Sequence, residues 1–267
     1  LILDKIGFIG MGNMGFAILR GLLESGEKER LWFTAAHKEK MEQVTGETGV
    51  AHASSNADCA AGSKYVVLAV KPQYFDTVFQ EISPVLTKEH IVISLAPGIS
   101  IQNIGERLGG KARVIRAMPN TPAMLGAGMT GLAYEASLFT EEEKAQVEKI
   151  FSACGRVELV EERQMDAVGC VSGCSPAFVY MFIEALADGG VKYGLSRRAA
   201  YEMAAQTVMG SARMVMETGK HPGQLKDEVC SPGGTTIAGV SALEEYGFRS
   251  AVIKAADACY EKSQRMK

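Results

Sequence analysis

The chain has 267 residues, of which 47% are hydrophobic and 22% charged, a composition typical of a globular protein with one large domain or two modest ones. The net charge of −3 argues against a protein that binds nucleic acids or anionic membranes. Charges, glycines or prolines interrupt each apolar run, so we expect neither a membrane span nor a signal peptide. Six scattered cysteines predict reduced thiols in the cytoplasm, with no disulfide framework and no metal site.

Short apolar runs alternate with helical patterns over the first part of the chain. The predicted strands are residues 6–9, 31–34, 65–70, 91–95 and 114–118, with further candidates at 131–134 and 157–160. The predicted helices between them are residues 15–24, 38–47, 75–85 and one that begins near residue 140 with a capping-box pattern. Strands that are apolar on both faces and separated by helices are typical of a parallel sheet covered on both sides.

The strand pattern disappears after about residue 162. The helices predicted beyond it are residues 176–193, 196–218, 222–229, 235–246 and 249–265, and alanine and methionine are common there. We therefore predict an α/β domain at residues 1–163 followed by an all-helical domain at residues 164–267.

A glycine motif, G-x-G-x-x-G, directly follows the first predicted strand and opens the first predicted helix. Its first glycine permits the tight turn, its second lets a pyrophosphate approach the backbone, and its third lets helix and strand pack closely. The helix start then offers free N–H groups to the phosphates. In this position the motif predicts a Rossmann-like dinucleotide site. The candidate cofactor contacts in it are Gly10, Met11, Gly12, Asn13, Met14 and Gly15.

The end of the second predicted strand indicates which dinucleotide binds. An NAD site usually has an acid there for the ribose 2′-hydroxyl, but no carboxylate occurs before Glu39. We therefore expect NADPH to be preferred, with NADH as a weaker alternative. Thr34, His37 and Lys38 are the candidate contacts to the 2′-phosphate, although His37 and Lys38 can equally be solvated loop residues.

Three more loops follow predicted strands, at the sheet edge where ligands of α/β proteins bind. Residues 69–73 and 94–98 are predicted to line the cofactor, with Val70, Ala96 and Gly98 among the contacts. Residues 118–123, a turn with two prolines, are predicted to form a wall of the active site.

A glycine-rich turn at residues 231–236 precedes a predicted helix. Proline and paired glycines hold the backbone open there, so successive N–H groups converge on a point that suits a carboxylate. A simpler alternative is that Ser231 or Thr235 is an ordinary helix N-cap.

Five stretches, in order along the chain, resemble the pyrroline-5-carboxylate reductase family: residues 8–15, 69–73, 118–123, 185–192 and 227–239. The last one matches the signature of that family. The resemblance implies a Rossmann-like domain followed by a helical dimerisation domain, a homodimer with interlaced helices, and in some members a larger ring of dimers. It also implies that Asn56, Ala69, Lys71 and Pro72 line the cofactor, and that Glu162, Ser231, Thr235 and Thr236 lie near the substrate.

The implied reaction moves a hydride from NADPH to the C=N carbon of 1-pyrroline-5-carboxylate and gives L-proline. Because the cofactor carries the difficult chemistry, the protein mainly orients and screens the reactants. As a hypothesis, the Thr236 hydroxyl bonds the ring nitrogen, and the N–H groups of Gly234 to Thr236 hold the carboxylate. We do not expect a histidine acid.

Three positions depart from the family pattern: Gly169, Ser175 together with Cys174, and Pro97. They leave a non-catalytic NADP-binding regulator as an alternative. A 3-hydroxyacid dehydrogenase is a weaker alternative, because residues 173–186 contain neither the lysine nor the asparagine that such enzymes use. The sequence does not distinguish five-membered from six-membered imines.

Overall fold

The computed structural model describes residues 4–265. Their contacts divide them into two compact units. The first contains the described residues up to Cys174 and those from Cys259 onward, and the second is Ser175–Ala258. The end of the chain belongs to the first unit because Ser263 and Gln264 both donate hydrogen bonds to the Asp166 carboxylate, at 2.8 and 2.6 Å.

A seven-stranded sheet forms the middle of the first unit. Its strands are β1 (Ile6–Ile9), β2 (Leu31–Thr34), β3 (Tyr65–Leu68), β4 (Ile91–Ser94), β5 (Arg113–Met118), β6 (Gly128–Ala133) and β7 (Gly155–Leu159). They lie in the order β2-β1-β3-β4-β5-β6-β7. The first five are parallel, as expected. β6 runs antiparallel to β5 because a short loop, without a crossover helix, joins the two, and β7 is parallel to β6.

Helices cover both faces of this sheet. They are α1 (Asn13–Glu24), α2 (Lys38–Thr48), α3 (Asn56–Ala61), α4 (Phe75–Ile82), α5 (Ile101–Arg107), α6 (Glu141–Ser152) and α7 (Met165–Val168). One core, under α1 and α6, contains Phe8, Ile93 and Phe151. The other, under α3, α4 and α5, contains Val92 and Phe79. Successive strand residues therefore supply opposite cores, and the predicted α/β class with a parallel sheet is confirmed.

The second unit is helical, as predicted. It contains α8 (Ser175–Lys192), α9 (Arg197–Thr218), α10 (Pro222–Val229), α11 (Thr235–Glu245) and the first part of α12 (Phe248–Gln264). Its described buried core consists of three alanines, Ala187, Ala200 and Ala204. Large apolar side chains instead lie on its surface, among them Met181, Met203, Met216, Tyr246 and Ile253. An apolar surface of this extent is typical of a helical unit that packs against a second protein surface.

Two sequence expectations need correction. The sequence patterns missed α3 and α5, which have only six and seven residues and therefore show little periodicity. The helical stretch Glu162–Lys192 is long and apolar enough to cross a membrane by length and composition, although no such run was expected. Only 11% of its most apolar window is buried. The same exposure is found in helices that pair with another subunit.

The predicted capping box at the start of α6 is present and is part of a larger charged cluster. The Thr140 hydroxyl accepts the N–H of Glu143, and the Glu143 carboxylate accepts the N–H of Thr140, at 3.2 and 3.1 Å. Arg113 binds both carboxylate oxygens at 2.6 and 2.8 Å, and Lys64 approaches to 3.0 Å. The hydrogen bonds from Arg113 hold the pKa of buried Glu143 near 2, below its ordinary value of 4.5.

This cluster predicts how stability depends on pH. Because the pKa of Glu143 is lower in the folded chain, its contribution is present above pH 4.5 and is lost as the pH falls from 4.5 to about 2. At neutral pH, Glu143→Ala should lower the free energy of unfolding by about 3 kcal/mol, because the partly buried Arg113 loses its charged partner. Urea unfolding at fixed protein concentration measures both effects.

Glu141→Ala is the matched control for this experiment. Glu141 lies in the same helical turn, but its side chain is 90% exposed and pairs only with Lys144. Its removal should change the free energy of unfolding by less than about 1 kcal/mol. Equal losses in the two variants would contradict the assignment of Glu143 as a buried anchor.

Candidate active site

The turn between β1 and α1 requires two of its glycines for steric reasons. Gly10 has a φ of +97°, and a Cβ there would lie 2.8 Å from the Ala69 carbonyl oxygen and 2.7 Å from a Val70 methyl group. A Cβ at Gly15 would lie 2.5 Å from the Gly10 carbonyl oxygen. Any side chain at either position would force α1 away from the strands, as the motif predicted.

Gly12 is different, because the space beside it is open. It is the N-cap residue of α1, and no described atom lies within 4 Å of where its Cβ would be. No side chain in the described part of the chain caps the helix, and its first turn carries no acid. The N–H groups at the start of α1 are therefore available to an anion, and a dinucleotide pyrophosphate fits this cradle.

A cavity beside this turn contains two cations that the sequence patterns did not single out. It is lined by Gly12, Asn13, Phe16, Arg20, Lys40 and Met124, among others. Arg20 is paired with Glu24 at 3.3 Å. The half-buried Lys40 ammonium lies 5.6 Å from the centre of the Phe16 ring and has no carboxylate within ion-pair distance among residues 4–265.

The three residues expected to contact a 2′-phosphate lie between the end of β2 and the first turn of α2. Thr34 is buried, and its hydroxyl contacts the Met41 sulfur at 3.9 Å. His37 is the exposed N-cap residue of α2. Lys38 is 80% exposed and lies 3.5 Å from the Glu42 carboxylate. Lys40 is two positions further on, about 200° around the helix, which explains why it lines the cavity and Lys38 does not.

The loops after β3 and β4 lie at the same sheet edge as the glycine turn. The Ala69 N–H donates to the Ile9 carbonyl oxygen, and the Leu95 N–H donates to that of Leu68. Ala96 is buried, Gly98 has a φ of +76°, and Lys71 and Pro72 are exposed. Asn56 is the first residue of α3, and its amide donates to Glu81 at 2.6 Å.

In the loop at residues 118–123, the Asn120 side chain makes two hydrogen bonds that connect neighbouring parts of the first unit. The Asn120 amide donates to the Ser172 carbonyl oxygen at 3.0 Å, and its side-chain oxygen accepts the N–H of Met129 at 2.9 Å. This side chain thus joins β6 to the π-helical turn at residues 169–174. Because the amide nitrogen and the amide oxygen both take part in these contacts, fewer hydrogen-bonding groups of Asn120 remain for a substrate.

Cys174 lies in that π-helical turn, at one of the departures from the family pattern. Partial desolvation of the thiol, together with a hydrogen bond to Cys259, raises the pKa of Cys174 to about 11, although the residue as a whole is exposed. The side chain is therefore a neutral thiol at neutral pH. A neutral thiol is a weaker hydrogen-bond donor than the serine hydroxyl of the family pattern. It is also a poor nucleophile.

The turn at residues 231–236 opens α11. Gly233 has a φ of +65°, and the Gly234 N–H donates to the Ser231 carbonyl oxygen at 3.0 Å. The N-cap residue is Gly234, and within the described residues no side chain caps the helix. The simpler alternative, a cap by Ser231 or Thr235, is therefore wrong. The exposed start of α11 keeps its N–H groups for an anion.

The predicted substrate residues fall in both units of the chain. Glu162 is in the first unit, where its Oε1 atom accepts the Ile101 N–H at 2.6 Å and a hydrogen bond from Arg116 at 3.2 Å. Ser231, Gly234, Thr235 and Thr236 are in the second. Arg116 was hidden from the sequence patterns because it occupies a strand position in an apolar run.

Comparison with known proteins matches two segments of the chain to family models. Residues 162–266 match the family model described as pyrroline-5-carboxylate reductase dimerisation. Residues 5–98 match the model described as NADP oxidoreductase coenzyme F420-dependent. The pyrroline-5-carboxylate reductase of Escherichia coli strain K12 is 47% identical over 264 residues, which cover 98% of each chain.

Solved structures agree over the full length. A pyrroline-5-carboxylate reductase from Coxiella burnetii has a TM-score of 0.93 at 36% identity and covers 99% of this chain and 98% of its own. The pyrroline carboxylate reductase of Plasmodium falciparum, solved with NADP bound, has a TM-score of 0.87 at 35% identity, with coverage of 100% and 99%. The resemblance drawn from the five sequence stretches is confirmed: this chain belongs to the pyrroline-5-carboxylate reductase family.

Proposed function

We propose that this chain is an NADPH-dependent pyrroline-5-carboxylate reductase, which transfers a hydride to the C=N carbon of 1-pyrroline-5-carboxylate and forms L-proline. The observation that carries the proposal is the 47% identity to a named reductase over 98% of both chains. The cradle at Gly10, Gly12 and Gly15, which suits a dinucleotide, supports it independently.

The cofactor site is proposed at the carboxyl edge of β1, β3 and β4. NADPH, when bound, supplies the hydride. The start of α1 holds the pyrophosphate, and the loops after β3 and β4 form the sides of the site. The proposed contacts are Gly10, Met11, Gly12, Asn13, Met14, Gly15, Thr34, His37, Lys38, Asn56, Ala69, Val70, Lys71, Pro72, Ala96 and Gly98, to which the cavity adds Lys40.

Substrate contacts are proposed in each unit separately. In the second unit, the N–H groups of residues 234–236 bind the substrate carboxylate, since the uncapped start of α11 favours an anion. The Thr236 hydroxyl bonds the ring nitrogen and is the proposed catalytic residue, and Ser231 and Thr235 are further contacts. In the first unit, Glu162 is the proposed contact. A protonated imine is already electrophilic, so these groups orient it and need not supply a strong acid.

We also propose the functional division at residues 1–163 and 164–267, and a homodimer through the C-terminal helices. The exposed apolar side chains of α8, α9 and α12 support the dimer, as does the dimerisation model that begins at residue 162. A larger ring of dimers, a cytoplasmic location and the absence of nucleic-acid or membrane partners are proposed with it. Light scattering and cell fractionation test the assembly and the location.

The function is tested by following NADPH oxidation at about 340 nm with 1-pyrroline-5-carboxylate, and with its six-membered homologue. We expect turnover of the five-membered imine and lower kcat/KM with NADH. Tight NADPH binding without turnover of either imine would contradict the proposal and favour the non-catalytic regulator.

The two lysines of α2 predict where selectivity for NADPH resides. Lys40→Met should weaken binding of 2′,5′-ADP, a fragment that carries the 2′-phosphate, by about tenfold, consistent with the loss of one charged contact. Binding of 5′-AMP should not change. Lys38→Met is the comparison variant and should weaken 2′,5′-ADP binding less than Lys40→Met does, since Lys38 pairs with Glu42 and does not line the cavity. Calorimetric titration decides, and equal losses for both nucleotides would count against Lys40.

The proposed role of Thr236 predicts a specific kinetic loss. Thr236→Ala should lower kcat/KM for the imine by about tenfold, as expected for one positioned hydrogen bond. Thr236→Ser, which keeps the hydroxyl, should recover most of it. Ser241→Ala is the control: among the described residues the Ser241 hydroxyl, on the same helix, bonds only the Ile237 carbonyl oxygen, so its removal should have no kinetic effect. Unchanged kinetics in Thr236→Ala would remove this residue from the mechanism.

A further inference from the structure

Strand β5 carries two arginines, one at its first residue and one in its second half, and both are paired with glutamates. Arg113 is the first residue of the strand and lies opposite Ile91, at the amino edge of the sheet. Arg116 lies opposite Ser94, the last residue of β4, and therefore at the carboxyl edge. Ligands of parallel sheets bind at the carboxyl edge, so only the second arginine is placed to influence them.

Arg113 is fully bonded and acts as an internal brace. Its guanidinium donates to both oxygens of Glu143, at 2.6 and 2.8 Å. It also donates to the carbonyl oxygens of Lys88, Glu89 and Leu138. This arrangement accounts for each of its nitrogen atoms, and no further role is needed to explain why the charge is buried.

Arg116 is more deeply buried and much less satisfied. The residue is 5% exposed, and one nitrogen, Nη1, donates to Glu162 at 3.2 Å. Its Nε and Nη2 atoms are buried and find no hydrogen-bond partner anywhere in the described chain. Buried N–H groups of a charged side chain without acceptors cost free energy, and native proteins retain them mainly where function requires it.

The partner of Arg116 is anchored through one oxygen only. Glu162 Oε1 accepts from Arg116 and also from the Ile101 N–H, at 2.6 Å. Ile101 begins α5, directly after the loop that contains Ala96 and Gly98. The other oxygen, Oε2, has no partner among residues 4–265, and the side chain is 36% exposed. One oxygen is thus fixed by two donors, and the other is free.

We propose that Arg116 is a positioning residue, which holds Glu162 so that its free oxygen places a negative charge beside the protonated C=N group of the substrate. The chemistry suits a protonated cyclic imine, because a fixed carboxylate stabilises the positive charge of the ring and favours one ring orientation. The Glu162 carboxylate also accepts the Ile101 N–H at the start of α5. The position of the substrate is therefore linked to the loop after β4, which leads into α5. The inference rests on the proposed function, which supplies the imine.

A double-mutant cycle tests whether Arg116 acts through Glu162. The variants are Arg116→Met, Glu162→Gln and the double substitution, each assayed for kcat and KM with the imine at saturating NADPH. We expect each single change to lower kcat/KM by about tenfold, the loss typical of one positioned contact. The double variant should fall no more than about twofold below Glu162→Gln, because the two residues act as one unit.

Two further variants separate positioning from general stability. Arg113→Met removes the other arginine of β5 and should lower the unfolding temperature without changing kcat/KM. Arg116→Lys keeps the charge and should recover part of the kcat/KM lost in Arg116→Met. If Arg116→Met does not fold, Arg116→Lys replaces it in the double-mutant cycle. The proposal is then supported if Arg116→Lys lowers kcat/KM in the wild type but lowers it no further in the Glu162→Gln background.

Three results would overturn the inference. These are wild-type kinetics in the Arg116 variants, equal losses with and without Glu162, or wild-type kinetics in Glu162→Gln. In each case the wild-type enzyme still turns over the imine, so the proposed function stands. A wild type that turns over no imine would instead overturn the proposed function, and the inference with it.

Discussion

The close approach of the β1–α1 turn to the end of β3 is the constraint on which the rest of the site depends. Gly10 and Gly15 leave no room for a side chain between the turn, the Ala69 backbone and each other. Because the turn is so tight, α1 starts directly at the carboxyl edge of the sheet, with its N–H groups unpaired and the space at Gly12 open. A pyrophosphate bound there places the remaining cofactor along the loops after β3 and β4.

The two units of the chain differ in where their apolar side chains lie. The first buries a continuous core on both faces of its sheet, and its buried charges, such as Glu143 with Arg113, are closely paired. The second exposes methionines and aromatic residues on long helices around a core of three described alanines. Residues 162–266, which include this unit, match a family model for dimerisation, and its exposed apolar side chains suit contacts with another chain.

Much of the fold follows from sequence patterns, because apolar strands and the glycine turn are local features. The seven strands and the long helices were predicted close to their final places, whereas α3 and α5 are too short to show a period. Functional contacts were harder to predict. Lys40 lines the cavity beside the glycine turn because of its position around α2, and Arg116 pairs with Glu162, which lies 46 residues further along the chain. Neither relation is visible in a local pattern. The substrate itself was identified through family resemblance.

The central claim is that a hydride passes from NADPH to the C=N carbon of the imine. The most direct measurement uses NADPH that carries deuterium on the transferable C4 position, with 1-pyrroline-5-carboxylate, and examines the product by NMR and mass spectrometry. The account predicts L-proline with one deuterium on the ring carbon that was double-bonded to nitrogen. Proline without deuterium, or labelled cofactor consumed with no proline formed, would contradict it.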